Sequence, residues 1–118
     1  MSMVYNSKMK EAIKSGGCNT ASSAGGALDG CVGSAVAAAV ARCKANGRKT
    51  IRSHDIGGGS SSSGMVVASR VKGAFKEAGC NTGGDAIGAM NAVADAAVAG
   101  AVARAVANGR KTVRDSDF

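Results

Sequence analysis

The stretch GRKTIRSHDI, residues 47–56, returns sixty-two positions later as GRKTVRDSDF, residues 109–118. Each copy stands behind an alanine-rich run and an asparagine, so the phrase is the tail of a longer repeated unit. Setting residues 3–56 over residues 65–118 without gaps gives 28 identities in 54 positions, including GCNT at 17–20 and 79–82 and ANGRKT at 45–50 and 107–112. Similarity at one fixed offset over that length marks an internal duplication.

Between the copies lies GGGSSSSG, residues 57–64. It carries no side chain able to join a core, and its composition predicts flexible coil. Fully extended it reaches roughly 28 Å, enough for the second copy to fold back on the first. The expected organisation is therefore a first copy over residues 1–56, a linker over 57–64 and a second copy over 65–118. Met65-Val66 aligns with Met3-Val4, so the second copy reads as a complete frame behind a tether, as in an engineered tandem or a natural doublet.

The core available to these copies is thin. One leucine (Leu28), two phenylalanines (Phe75, Phe118), one tyrosine (Tyr5) and no tryptophan leave alanine and valine to supply most of the 45% hydrophobic fraction. At roughly 25 cal/mol per Å² of buried apolar surface, each alanine contributes little. Neither copy is large enough to stand alone on such side chains, so the two are expected to share one core.

An excess of 15 Lys+Arg over 8 Asp+Glu gives a net charge of +7 and a pI near 9.6. That balance suits a polyanionic partner, with nucleic acid the leading class. Cys18, Cys31, Cys43 and Cys80 show no CxxC spacing, and His54 has no ligand partner near it in sequence. No metal site is expected, and the thiols fit a reduced, intracellular protein. No signal segment opens the chain and no 18-residue stretch is strongly apolar while free of charge and glycine, so neither secretion nor membrane insertion is expected. An enzyme is equally hard to assemble. The serines fall in the linker or at helix starts, His54 becomes Ser116 in the second copy, and the glycine tracts lack the spacing of phosphate loops. No cofactor and no small-molecule substrate follow from this composition.

Periodicity predicts an all-α fold, with a short helix and a long helix in each copy. The first runs over about residues 4–15, with Tyr5, Met9 and Ile13 on one side, and Val67, Val71 and Phe75 doing the same in the second copy. The long helices run over about 22–45 and 84–107, with stripes of Leu28, Val32, Val36 and Val40, and of Met90, Val93, Val98 and Val102. Asn46-Gly47 and Asn108-Gly109 end them, because glycine accepts the left-handed conformation past a helix end. Gly25, Gly26, Gly30, Gly33, Gly88 and Gly100 inside them each cost roughly 0.5 to 1 kcal/mol against alanine, and close helix approach is their expected reason. Thr50 to Arg52 and Thr112 to Arg114 are β-prone, and the Ser and Asp residues after them start at most one further helical turn.

A short helix, a loop, a long helix and an Arg-Lys-Thr-(Ile/Val) loop before an acidic helix start resemble the histone fold. The resemblance is to short archaeal and bacterial histones with a truncated third helix, and it covers both copies. Val67, Ser69, Val71, Lys72, Gly79 and Asp85 match the front pattern of those proteins, whereas the first copy departs at Tyr5 and Met9 and has Ala or Ser where the acidic residue is expected. The resemblance implies a handshake pseudo-dimer within one chain, in which the long helices cross and each second loop pairs with the other copy's first loop. It also implies that Arg48 with Asp55, and Arg110 with Asp117, are structural clamps on the second loops. By the same resemblance Lys49, Thr50, Lys111 and Thr112 face phosphates, with Arg52 and Arg114 beside them.

A rigid turn that presents a cation, a hydroxyl and backbone N–H groups suits phosphate oxygens without reading a base. Lys10, Lys14, Lys72 and Lys76 on the first helices could extend that track. The expected function is double-stranded DNA binding without sequence preference, with bending or compaction, in a cytoplasmic, nucleoid-associated protein whose pseudo-dimers could associate further. The chain lacks aromatic platforms for stacking single strands. The alternative from a different class is a structural or engineered histone-fold module for protein assembly, with little DNA binding.

Overall fold

Two 22-residue helices, α2 (Ala24–Ala45) and α5 (Ala86–Ala107), pack against one another and form the centre of the molecule. The structure is a computed structural model that describes residues 3–57 and 59–118. Around the long pair, the first half adds α1 (Asn6–Ser15), β1 (Asn19–Thr20), β2 (Thr50–Ile51) and the one-turn α3 (Ser53–Ile56). The second half adds α4 (Ala68–Glu77), β3 (Asn81–Thr82), β4 (Thr112–Val113) and a closing 3-10 turn at Asp115–Asp117.

The short strands do not pair within their own half. β1 pairs in parallel with β4, Asn19 opposite Thr112, and β2 pairs in parallel with β3, Thr50 opposite Asn81. Backbone bonds therefore come in exchanged couples. Asn19 donates to the Lys111 carbonyl at 2.6 Å and Asn81 to the Lys49 carbonyl at 2.7 Å, while Ala21 donates to Val113 at 2.9 Å and Gly83 to Ile51 at 2.7 Å. The same holds ahead of the first helices, where Tyr5 donates to Met65 and Val67 donates to Met3 around the Val4–Val66 bridge. Pairings that repeat with the halves exchanged are the signature of a two-fold arrangement.

The core follows the helical stripes, with corrections on both long helices and ahead of both short ones. Leu28, Val32, Val36, Ala39 and Cys43 are buried on α2, and Val40 is half-buried. On α5 the buried stripe is Ala86, Met90, Ala94, Val98, Ala101 and Ala105, so Val93 and Val102 lie at its margin. A four-residue step from Met90 reaches Ala94 before Val98, and small alanines there let α2 approach. Tyr5 is 45% exposed and Val67 is half-buried, because each is the residue before its short helix, and the buried residues there are Val4 and Val66, one position earlier. By length and mean hydropathy, 1.4 for α2 and 1.5 for α5, both long helices could also cross a membrane. Requiring a stretch free of glycine and charge hides that property in the sequence.

The interior glycines divide. At Gly25 a Cβ would lie 2.9 Å from the Asn6 carboxamide oxygen, and at Gly88 3.3 Å from the Ser60 hydroxyl, so these two permit close approach. Gly26, Gly30 and Gly33 have open space where a Cβ would stand, so close helix approach does not account for them. The linker likewise departs from free coil. Ser61 donates its amide to the Gly88 carbonyl at 2.9 Å, the Ser61 and Ser63 hydroxyls reach the two Asp95 oxygens at 2.5 and 2.9 Å, and Asn91 donates to the Ser61 carbonyl at 3.3 Å. Side-chain hydroxyls aimed at one carboxylate replace the core packing that this segment lacks.

Two stability outcomes follow. Gly30→Ala is expected to raise the urea-unfolding free energy by about 0.5 to 1 kcal/mol, since the new methyl meets nothing and helix propensity improves. Gly83→Ala is expected to lower it by about 1 to 3 kcal/mol, because its Cβ would stand 2.5 Å from the Ile51 carbonyl in the β2–β3 pairing. Asp95→Ala is expected to leave the helices intact and to speed amide exchange at Ser61 and Ser63, read by NMR.

Candidate nucleic-acid interface

Each basic loop owes its shape to a glycine, a buried carboxylate and the other half of the chain. Gly47 and Gly109 sit at φ +68° and +69°, ending the long helices and turning the chain outward. In the first half, Arg48 grips Asp55 with two bonds, Nη1 to Oδ2 at 2.8 Å and Nη2 to Oδ1 at 2.6 Å. Arg110 and Asp117 make the same fork at 2.9 and 2.5 Å. Each carboxylate also accepts the backbone amide of the next arginine, Arg52 at 3.0 Å and Arg114 at 2.9 Å. Arg42 and Arg104, from the long helices, donate to the carbonyls of Asp55 and Asp117 at 2.7 and 2.6 Å.

These carboxylates are 2% exposed and so depend on their partners for solvation. The Arg48 guanidinium bonded to Asp55 brings its carboxyl down to about 2 from an ordinary 3.8, against burial. The Arg110 guanidinium does the same for Asp117, lowering it. Stability from a depressed carboxylate is present above its unfolded pKa and lost as pH falls through its folded one. For Asp55 that interval runs from about pH 4 down to about pH 2.

The ends of the long helices add a second fastening. Asp85, before α5, accepts the Ser53 amide at 3.1 Å, and Ser23, before α2, accepts the Asp115 amide at 3.2 Å. Neither bonds its own helix. The residues ahead of the long helices thus hold the third element of the other half, and the bond from Ser53 lowers the Asp85 carboxyl.

The ten basic and hydroxyl candidates separate into two edges at opposite ends of the long-helix pair. At the β1–β4 edge, Lys10 and Lys14 line a cleft with Cys18, Asn19 and Thr20, and the Asn19 amide binds the Lys111 carbonyl. Thr112 and Arg114 continue the same strand outward. At the β2–β3 edge, Lys49, Thr50 and Arg52 come from the first half, while Lys72 and Lys76 lie on α4, which leads into β3. Lys10, Lys14, Lys49, Lys72, Lys76, Lys111, Arg52 and Arg114 are all exposed, and Thr50 and Thr112 are half-buried. Among the described residues the ion pairs are Arg48–Asp55 and Arg110–Asp117, with the His54 ring 3.9 Å from the Asp55 carboxylate, which leaves the lysines of both edges without a carboxylate partner. Lys14 and Lys76 also occupy the last turns of α1 and α4, where a cation favours the helix dipole.

One basic residue of this surface went unnoticed in the sequence. Lys44 lines a cleft with Arg48, Lys49 and Gly79 at the β2–β3 edge. Its counterpart in the other copy is Val106, which is 58% exposed, and that exchange of lysine for valine was the available signal.

A crossed pair of long helices with exchanged loop pairing has a known counterpart. The structure matches that of the histone from Methanopyrus kandleri with a TM-score of 0.62, covering 97% of this chain and 89% of that one at 19% identity. The chain has a histone fold. No protein-family model and no curated protein sequence matches it. The histone fold accounts for the arrangement of the two edges, whereas the identity of the groups on them is this chain's own.

Arg48→Ala strands a buried carboxylate and is expected to cost about 3 kcal/mol in urea unfolding at pH 7. The unaltered chain should lose stability as pH falls from about 4 to about 2, and the variant should show a shallower loss over that interval because its clamp is already gone.

Proposed function

We propose that the chain is a single-chain histone-fold pseudo-dimer, with copies over 1–56 and 65–118 joined by residues 57–64, that binds duplex DNA without sequence preference and bends or compacts it. The supporting observation is the composition of the two edges. Each joins a Lys-Thr loop of one half to the first-helix lysines and the Asn-Thr strand of the other, and among the described residues none of those lysines pairs with a carboxylate. Lys49 and Lys111 act as phosphate-facing cations, with Thr50 and Thr112 as hydroxyl donors. Arg52, Arg114, Lys10, Lys14, Lys72 and Lys76 extend each grip along the backbone. Arg48, Asp55, Arg110 and Asp117 serve as clamps that keep the loops rigid, so that little conformational freedom is lost on binding.

Two such grips at opposite ends of one rigid body favour a duplex that follows its surface, since bending lets both engage at once. The net charge of +7 adds long-range attraction at low salt. Nucleoid association and further self-association of pseudo-dimers belong to the same reading. Open space at Gly26, Gly30 and Gly33 on α2 favours a second reading, an assembly module in which that face meets another protein.

Binding to a mixed-sequence duplex over a salt series separates the two. Tight low-salt binding with a steep logarithmic dependence is expected, and Lys49→Ala/Lys111→Ala should shallow the slope by about 2, roughly 0.9 for each phosphate no longer neutralised. No low-salt binding, with a size that grows with concentration, would transfer the function to assembly.

A further inference from the structure

Two core thiols offer a chemistry that neither packing nor DNA binding draws on. Cys43 lies in the last turn of α2 and Cys80 follows α4, so these thiols belong to different halves of the chain. Both are buried, Cys43 at 0% and Cys80 at 3% exposure. The β2–β3 pairing brings them to one place. Cys43 donates its thiol to the Arg48 carbonyl at 3.1 Å, and Asn81, next to Cys80, donates its amide to the Lys49 carbonyl at 2.7 Å. Carbonyls one residue apart thus anchor the two cysteine segments. Burial pushes the Cys43 thiol up, and the Cys80 sulfur beside it pushes it further in the same direction.

The exchanged position at the other edge is different. Cys18 corresponds to Cys80, but Ala105 stands where Cys43 would be. Access is also one-sided, because the surface cleft with Lys44, Arg48 and Lys49 in its wall reaches Cys80 and not Cys43. A small reagent meets Cys80 first, and Cys43 is placed to resolve the product.

We propose that Cys43 and Cys80 form an oxidisable dithiol, a modification site whose disulfide staples the β2–β3 edge across the two halves of the chain. The oxidant is a small hydroperoxide. The Cys80 sulfur attacks one oxygen of hydrogen peroxide, the O–O bond breaks, and Cys80 becomes a sulfenic acid as the departing hydroxide takes the thiol proton and leaves as water. The Cys43 sulfur then attacks the Cys80 sulfur. The S–S bond forms, the S–O bond breaks, and a second water leaves with the Cys43 proton. Two electrons pass from the thiols to the peroxide, and a thiol reductant reverses the bond by exchange. The disulfide adds a second covalent link between the halves beside the linker, and it holds Lys49 and Thr50 in register with Asn81 and Thr82. The β1–β4 edge is untouched, so oxidation makes the two edges unequal.

The test treats the full chain carrying Cys18→Ala and Cys31→Ala with hydrogen peroxide. The monomer is expected to lose two hydrogens in intact mass, to give a peptide joining the Cys43 and Cys80 segments on non-reducing digestion, and to unfold at higher urea until reductant is added. Cys43→Ala in the same background copies the arrangement at Ala105 and should gain oxygen instead, with no rise in the unfolding midpoint. Peptide mapping of the unsubstituted chain reads the same link, so a folding defect in the variants leaves the outcome decided. Oxygen adducts on both thiols without a linked peptide, an unreacted pair, or a link found only between separate chains would each overturn the proposal.

Discussion

Neither long helix can bury its apolar stripe within its own half. With alanine as the main side chain on both, useful apolar area accumulates only when α2 and α5 lie close together over a long interface. That constraint generates the remainder of the fold. Once the helices cross, the loop ahead of each lies beside the loop behind the other, and the exchanged pairs β1–β4 and β2–β3 close the two ends. Small residues such as Ala94 and Ala101 are the condition for this approach, since larger side chains at fixed spacing would hold the helices apart.

Rigidity at the ends comes from electrostatics in place of packing. Asp55 and Asp117 are nearly dry, and each gathers an arginine fork, a backbone amide and a neighbouring arginine on its carbonyl. A buried carboxylate so completely served fixes the loop it belongs to. The lysines next to it then project from a stiff turn, with their charge facing solvent. Structure and charge are divided between adjacent residues: in Arg-Lys-Thr the arginine turns inward to the clamp and the lysine outward.

The linker shows how little apolar material is needed to order a segment. Serine hydroxyls on Asp95, with Gly88 leaving room and Asn91 bridging backbone groups, bind residues that composition alone assigns to free coil. The corresponding face of α2 carries Gly26, Gly30 and Gly33 in place of Gly88, Ala92 and Asp95, and nothing of the described chain lies against those glycines. The two halves are thus alike in backbone and unlike in what their outer faces hold.

Much of the architecture was legible in the residues. The sixty-two-residue offset, the glycines that end α2 and α5, and the arginine and aspartate seven positions apart are local patterns with local causes, and they locate the helices, the turns and the clamp pairs. Periodicity placed the α2 stripe well and misplaced part of the α5 stripe, because a run of alanine and valine offers several nearly equal faces and only the partner helix selects one. Which lysines share an edge, the service of Ser23 and Asp85 to the opposite half, the docking of Ser61 and Ser63, and the meeting of Cys43 with Cys80 were decided by tertiary structure. All join residues far apart in the chain, and their geometry exists only after the two long helices have crossed.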